Sequence, residues 1–195
     1  MDKKILGIYG SPRENGNTDL LLEEILKVVQ RENKKAKIRK VYLRNLSIHP
    51  CRECRECEKR GTCVIMDDMQ TLYKGLQEAD CIVLASPIFF YSVTAQTKAM
   101  IDRCQALWAK KYILKRAIRK NSGKGEGWFI SVGATKGDKL FEGSILTVKY
   151  FFDAIDVAYK GELLVRGVDK KGEILKYSET ISRAKALGKQ IAGKA

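Results

Sequence analysis

Residues 4–18 read Lys-Ile-Leu-Gly-Ile-Tyr-Gly-Ser-Pro-Arg-Glu-Asn-Gly-Asn-Thr, a short apolar run followed by a polar loop with two glycines. The apolar run predicts a buried strand. From Thr18 onward, leucine, isoleucine and valine recur at helical spacing, and Asn17 or Thr18 is placed to cap that helix. A strand, a glycine loop and a helix N-terminus in this order predict an anion site.

The loop between this strand and this helix is suited to a phosphate. Backbone N–H groups at the start of a helix are unpaired and carry partial positive charge. Ser11, Asn17 and Thr18 add side-chain donors, and Arg13 adds a full charge. The loop matches neither G-x-G-x-x-G nor the Walker A pattern. The alternative is a plain strand-to-helix turn, which needs no such collection of side chains.

Further strands are expected at 36–43, 80–85, 126–132 and 157–165, each separated from the next by a helical pattern. Five strands alternating with helices predict an α/β fold with a parallel sheet covered on both faces, in the flavodoxin-like order 2-1-3-4-5. In that order the loops after strands 1, 3 and 4 meet at one edge of the sheet. The sequence therefore predicts a single domain over 1–195 with its binding site at that edge.

The loop after the third strand reads Ser-Pro-Ile-Phe-Phe-Tyr-Ser-Val over residues 86–93. Three consecutive aromatic residues are costly to leave in water unless something flat covers them. A planar ring system is the expected cover. The alternative is that these aromatic side chains fill part of the core or an oligomer contact.

Four of the six cysteines lie between residues 51 and 63, in the loop after strand 2. They are Cys51, Cys54, Cys57 and Cys63. A C-x2-C-x2-C run with a fourth cysteine nearby is the local signature of a [4Fe-4S] cluster, whereas zinc usually takes two separated pairs. Zinc and disulfides remain the alternatives. Cys81 and Cys104 lie in a predicted strand and a predicted helix and are expected to be core residues.

Composition narrows the classes of function. With 37 Lys and Arg against 23 Asp and Glu, the net charge of +14 should attract nucleotides, nucleic acid or an acidic protein. Seven basic residues and no acidic one lie between residues 109 and 125. His49, the single histidine, is expected to be an ordinary loop residue, which leaves a Ser-His-Asp hydrolase little to work with.

No segment has the apolar run of a signal peptide or of a membrane span, so a cytoplasmic location is expected. In that compartment clustered cysteines bind metal more often than they pair with each other.

Several of these motifs resemble one family. The Gly10-Ser11-Pro12-Arg13 segment with Gly16-Asn17-Thr18, then Ser86-Pro87-Ile88 with Tyr91, then residues 99–103, resemble the flavodoxin-like NADPH-dependent FMN reductases. The cysteine motif ahead of Asp67-Asp68-Met69 resembles the iron-sulfur flavoproteins of that family.

The resemblance implies FMN, with its phosphate on Ser11, Arg13, Asn17 and Thr18 and its ring near residues 87–91 and 134–137. It also implies a [4Fe-4S] cluster on the four clustered cysteines, in a loop spanning 48–66, and a homodimer or homotetramer. The candidate cofactor-binding residues are Ser11, Arg13, Asn15, Gly16, Asn17, Thr18, Pro87, Ile88, Phe89, Phe90, Tyr91, Ala134, Thr135, Lys136 and Gly137.

These observations favour an electron-transfer flavoprotein. Electrons would pass from ferredoxin, an acidic carrier suited to the basic segment, through the cluster to FMN and on to quinone, oxygen or peroxide. No catalytic side chain is expected, because the cofactors carry the redox chemistry. One alternative is an NAD(P)H-dependent FMN or quinone reductase without a functional cluster. Another is a zinc-bearing nucleic-acid-binding module, which only the charge suggests, since RNA-type aromatic motifs are lacking.

Overall fold

The computed structural model describes residues 2–119 and 123–193. Its sheet has five strands in the order β2-β1-β3-β4-β5, and every neighbouring pair is parallel. The strands are β1 (Lys4–Tyr9), β2 (Lys37–Tyr42), β3 (Cys81–Ala85), β4 (Gly125–Gly133) and β5 (Val157–Arg166). The flavodoxin-like topology predicted from the strand and helix pattern is thereby confirmed.

Helices cover both faces of this sheet. They are α1 (Asn17–Glu32), α2 (Glu56–Arg60), α3 (Met69–Glu78), α4 (Ala95–Arg103), α5 (Gln105–Trp108), α6 (Glu142–Ala154) and α7 (Ser178–Ala192). Helices α1 and α7 pack together on one face, where Ile25 and Ile191 are fully buried. Helices α3, α4, α5 and α6 cover the other face, around Met100 and Phe152. The central strands β1, β3 and β4 are buried on both sides, as the continuous apolar run of β3 indicates, whereas the edge strands β2 and β5 are partly exposed.

Two helix predictions differ from the structure at their ends. The sequence pattern predicts one helix from Thr94 to about Trp108, but the structure divides it at Cys104 into α4 and α5 and continues it into a π-helical turn, Ala109–Ile113. The pattern also predicts that the last helix buries both Ile174 and Tyr177. Ile174 is indeed buried, but it belongs to a separate 3-10 turn, and Tyr177 precedes α7 and is 37% exposed. The two elements are separated at Tyr177, whose φ of −93° and ψ of 80° lie outside the helical region.

Some basic side chains of the segment at 109–125 are paired within the chain and are not exposed to a partner. Lys111 pairs with Asp156 at 2.8 Å, and the buried Arg119 donates to the Leu76 and Ala79 carbonyls at the end of α3. Lys120 lies outside the described residues. Within the described part of the chain, no helix is both long and apolar enough to cross a membrane.

Candidate functional site

The loops after β1 and β3 are tied to each other and to α4. The Gly10 N–H donates to the Ala85 carbonyl at 2.7 Å, and the Thr94 hydroxyl donates to the Gly10 carbonyl at 2.6 Å. A Cβ on Gly10 would lie 2.9 Å from the Ala85 carbonyl oxygen, so this close approach requires glycine. The parallel sheet therefore brings the two predicted loops together at its carboxyl edge.

The start of α1 is left without a side-chain cap. Gly16 occupies the N-cap position with extended backbone. Asn17 instead donates to the Lys170 carbonyl at 3.0 Å and accepts from the Ile174 N–H at 3.2 Å. The Thr18 hydroxyl is buried and has no hydrogen-bond partner within residues 2–119 and 123–193. The prediction that Asn17 or Thr18 caps α1 is therefore wrong, because Asn17 is used to hold the segment after β5.

Charged groups flank this helix start. Arg13 is exposed and donates from Nη1 to the Asp169 carbonyl at 3.3 Å. Behind the loop, Arg44 pairs with the buried Asp19 at 2.8 Å and reaches the Ser11 carbonyl at 3.4 Å. Burial raises the pKa of Asp19, although the Arg44 charge opposes this. The exposed Arg13 guanidinium thus lies beside the loop with a carbonyl as its neighbour. The acidic residue in the first turn of α1, Asp19, is paired with Arg44.

A cavity of about 170 Å³ opens at this edge of the sheet. Nine of the candidate cofactor-binding residues line it: Ser11, Arg13, Gly16, Asn17, Thr18, Pro87, Ile88, Phe89 and Ala134. Four further residues also line it and were missed by the sequence analysis: Pro12, Val132, Val168 and Asp169. Val168 and Asp169 follow β5, so they belong to a fourth loop for which the sequence offered no polar motif.

The remaining candidates lie outside the lining of this cavity. They are Asn15, Phe90, Tyr91, Thr135, Lys136 and Gly137. Phe90 and Tyr91 have φ of 48° and 59° in a tight turn closed by hydrogen bonds between Phe89 and Ser92. Phe90 is fully exposed, so these aromatic residues do not plug the core of the chain. The turn reaches toward the β4 loop, because a Cβ on Gly137 would lie 3.3 Å from the Tyr91 hydroxyl.

All four clustered cysteines line a second, larger cavity of about 780 Å³. Its other walls come from α4, α5 and α6. Cys51 and Cys54 are exposed, Cys57 and Cys63 are half-buried, and none of the four forms a disulfide. Burial raises the pKa of the Cys57 thiol, and the charges of Cys51, Cys63 and Cys54 add to this effect. The loop thus gathers four free thiols at one cavity.

The four cysteines do not form a ready-made metal site in the described part of the chain. Over residues 2–119 and 123–193, no group of three or more His, Cys, Asp or Glu residues is arranged to hold a metal ion. His49 is exposed, with its ring Nδ1 3.4 Å from Asp67 Oδ2. Cys81 and Cys104 are buried in the core, as expected, and burial raises the pKa of Cys81 to about 12.

Comparison with known proteins relates the chain to one family. Residues 3–136 match the family model described as NADPH-dependent FMN reductase. An iron-sulfur flavoprotein of Archaeoglobus fulgidus is 40% identical over 145 residues, which cover 73% of this chain and 69% of that protein. An iron-sulfur flavoprotein of Methanocaldococcus jannaschii is 39% identical over 104 residues, 53% of each chain.

This chain therefore spans about half the length of the M. jannaschii relative that it matches. Among solved structures, the NAD(P)H:quinone oxidoreductase from Methanothermobacter marburgensis superposes with a TM-score of 0.72 over 98% of each chain at 14% identity, a likeness of fold. The family-model match and the A. fulgidus relative together show that the chain belongs to the NADPH-dependent FMN reductase family, in its iron-sulfur flavoprotein branch.

Proposed function

We propose that this protein is a flavin-dependent oxidoreductase that binds FMN at the 170 Å³ cavity and a [4Fe-4S] cluster on Cys51, Cys54, Cys57 and Cys63. It would take electrons from ferredoxin or a similar acidic carrier and deliver them to quinone, oxygen or peroxide. The observation that carries the proposal is that one chain lines a phosphate-suited cavity with the loop after β1 and a second cavity with four free thiols.

The start of α1 fits a phosphate. The buried Thr18 hydroxyl has no partner among the residues that the structure describes, and a buried polar group normally has one. A Cβ on Gly16 would lie 3.0 Å from Ser11 Oγ and 3.1 Å from the Arg13 carbonyl oxygen, so the loop leaves no room for a side chain there. Thr18, Ser11 and the uncapped N–H groups of α1 would hold the phosphate, and Arg13 would neutralise it.

Apolar groups at the carboxyl edge suit the flavin ring. Pro87, Ile88, Phe89 and Ala134 line the same cavity as the phosphate loop. Bound FMN would supply both one-electron and two-electron chemistry, so these residues need only orient the ring and exclude water. Phe90 and Tyr91, with residues 135–137, would lie at the rim. We propose that a second copy covers this exposed turn in a homodimer or homotetramer.

The cysteine loop fits an iron-sulfur cluster by its donor set. Cysteine thiolates are the usual ligands of such clusters, and all four thiols are free and share a cavity. A bound cluster would supply single-electron transfer. Among the basic residues of 109–125, Lys115, Arg116 and Lys124 are exposed and would meet an acidic carrier.

The test is the composition of protein purified without air. We expect flavin bands above a broad brown absorbance, about one FMN and four iron atoms per chain, and a cluster signal in electron paramagnetic resonance after reduction. A Cys57→Ser variant should lose iron but keep FMN, whereas a Cys104→Ser variant should keep both. Protein that takes up neither iron nor flavin after reconstitution would contradict the proposal.

The second candidate function is an NAD(P)H-dependent FMN or quinone reductase in which the cysteines hold zinc or nothing. The family model, described as NADPH-dependent, favours it. Stopped-flow mixing decides between the two candidates. Rapid flavin bleaching by NADPH, with none by reduced ferredoxin, favours the reductase. For the third alternative, a zinc-bearing nucleic-acid-binding module, the net charge of +14 is the supporting observation.

A further inference from the structure

Arg103 joins the two ends of the cysteine loop. It is the last residue of α4, and its side chain is 0% exposed. Its Nη1 donates to the His49 carbonyl at 2.9 Å, and its Nη2 donates to the Ile65 carbonyl at 3.1 Å. These two carbonyls stand on opposite sides of the cysteine run at 51–63. One guanidinium therefore holds the entrance and the exit of the loop together.

Asp67 completes this connection. It accepts from Arg103 on both carboxylate oxygens, at 2.6 and 3.1 Å. It also accepts the backbone N–H groups of His49, at 3.0 Å, and Met69, at 3.1 Å. On the far side, the buried Tyr73 hydroxyl donates to the Arg103 carbonyl at 2.7 Å. The guanidinium is thus held by partners from two segments, one before and one after the cysteine run, while the Tyr73 hydroxyl holds the Arg103 backbone.

One N–H of Arg103 remains unused. Its Nε is buried and has no hydrogen-bond partner in the described structure. Arg103 lines the same cavity as Cys63. Burial lowers the pKa of Arg103, but the Asp67 hydrogen bond and then the Cys63 charge raise it above its usual value. A buried donor without an acceptor is destabilising, so a sulfur acceptor supplied in this cavity by a bound centre would remove that penalty.

We propose that Arg103 is a positioning residue for the metal centre: it fixes both ends of the cysteine loop through His49, Ile65 and Asp67, and its unpaired Nε–H would donate to a sulfur of the bound centre. The proposal rests on the proposed function insofar as the sulfur belongs to an iron-sulfur cluster. Hydrogen bonds to cluster sulfurs are among the terms that set the reduction potential. Because a donor stabilises the more negative, reduced form, Arg103 raises that potential.

Lysine cannot replace arginine in this arrangement. The planar guanidinium offers a fork that matches the two oxygens of Asp67 and still presents Nε, whereas an ammonium is a single point of charge. Arg103→Lys therefore keeps the charge and removes the fork. Arg119 provides a matched control, because it is also buried and donates to two carbonyls, but it lies outside the cysteine cavity.

The experiment compares wild type, Arg103→Lys and Arg119→Lys as full-length, anaerobically reconstituted proteins. We expect Arg103→Lys to bind FMN normally, to release iron to a chelator about tenfold faster, and to have a more negative cluster midpoint potential. Arg119→Lys should lose stability only. An unchanged potential and iron release in Arg103→Lys would overturn the proposal. If Arg103→Lys fails to fold, the Arg103→Gln/Asp67→Asn pair, which leaves no unpaired buried charge, is measured instead.

Hydrogen exchange on metal-free protein separates this inference from the proposed function. If the wild type takes up no iron, the proposed cluster fails, but the connection between the loop ends is still tested. Exchange over residues 49–67 should be about tenfold faster in Arg103→Lys than in wild type and in Arg119→Lys. Equal exchange in all three proteins would overturn the positioning role.

Discussion

The Thr18 hydroxyl offers a prediction in which stability and binding move in opposite directions. Thr18 is 1% exposed, and its Oγ1 has no partner in the described structure. Valine has nearly the same shape and replaces the hydroxyl with a methyl group. Because an unsatisfied buried polar group costs about 1–3 kcal/mol, we expect Thr18→Val to stabilise the flavin-free protein by about 1 kcal/mol.

The same substitution should weaken FMN binding. A hydrogen bond to a charged phosphate contributes about 1.5–3 kcal/mol. Each 1.4 kcal/mol corresponds to about a tenfold change in the dissociation constant, so we expect the constant to rise by about 10- to 100-fold. Both effects of Thr18→Val have one cause. The buried Thr18 hydroxyl is unpaired without flavin and would be paired with the phosphate when FMN is bound.

Urea unfolding of the flavin-free protein measures the first effect, and quenching of FMN fluorescence during titration measures the second. Thr71→Val is the control, since the Thr71 hydroxyl is exposed, donates to the Asp68 carbonyl at 2.9 Å and lies outside the FMN cavity. That variant should lose a little stability and keep its FMN affinity. A Thr18→Val protein that is less stable without flavin, or that binds FMN as wild type does, would refute the reasoning.

Three further predictions follow from charge and burial. Arg13→Gln should raise the FMN dissociation constant about tenfold at low salt and less at high salt, because an exposed charge is screened; equal effects in fluorescence titrations at both ionic strengths would contradict this. In metal-free protein a thiol reagent should label four cysteines rapidly, with Cys81 and Cys104 reacting only after unfolding, since burial raises the pKa of both thiols; six rapid thiols in the native protein would be the contrary result. Burial opposes ionisation of Asp67, but the Arg103 hydrogen bond and two backbone N–H groups lower the pKa of Asp67 to about 2. The stability that the ionised Asp67 contributes is present above the unfolded pKa of about 3.9 and is lost as pH falls toward 2. The difference in unfolding free energy between wild type and Asp67→Asn should therefore shrink by about 2 kcal/mol between pH 6 and pH 2. Urea unfolding curves that give the same difference at both pH values would argue against this.

The sheet and its carboxyl-edge loops were predictable because they follow from local pattern and general topology. Apolar runs predict strands, and parallel order places the loops after β1, β3 and β4 together whatever their details. The partner of Asn17 was not predictable in this way. Its side chain meets Lys170 and Ile174, more than 150 positions along the chain. A capping residue and a residue that holds a distant loop look alike in sequence, and tertiary packing decides between them.

In the cysteine loop, too, some features were predictable from the sequence and others depended on tertiary packing. Its spacing predicts ligands for a metal, since that chemistry depends on residue type. The adjacent pair Asp102-Arg103 predicted ion pairs without naming partners. In the structure Asp102 pairs with Lys98 on the exposed side of α4, at 2.7 Å, whereas Arg103 turns inward to Asp67. The direction in which each side chain leaves the helix depends on which face the sheet buries.

Helix α4 connects the two candidate sites within one subunit. At its N-terminus Thr94 accepts from the Thr97 N–H and donates to Gly10, which fixes the helix to the loop proposed for the phosphate. At its C-terminus Arg103 holds the cysteine loop. The helix has nine residues and is therefore about 13 Å long. A helix of this length is stiffer than the loops at its two ends, so we expect α4 to set the separation of the two proposed cofactor sites within a subunit. A substitution that bends the middle of α4 should accordingly disturb FMN binding and iron retention together, while substitutions at either end should disturb one of them.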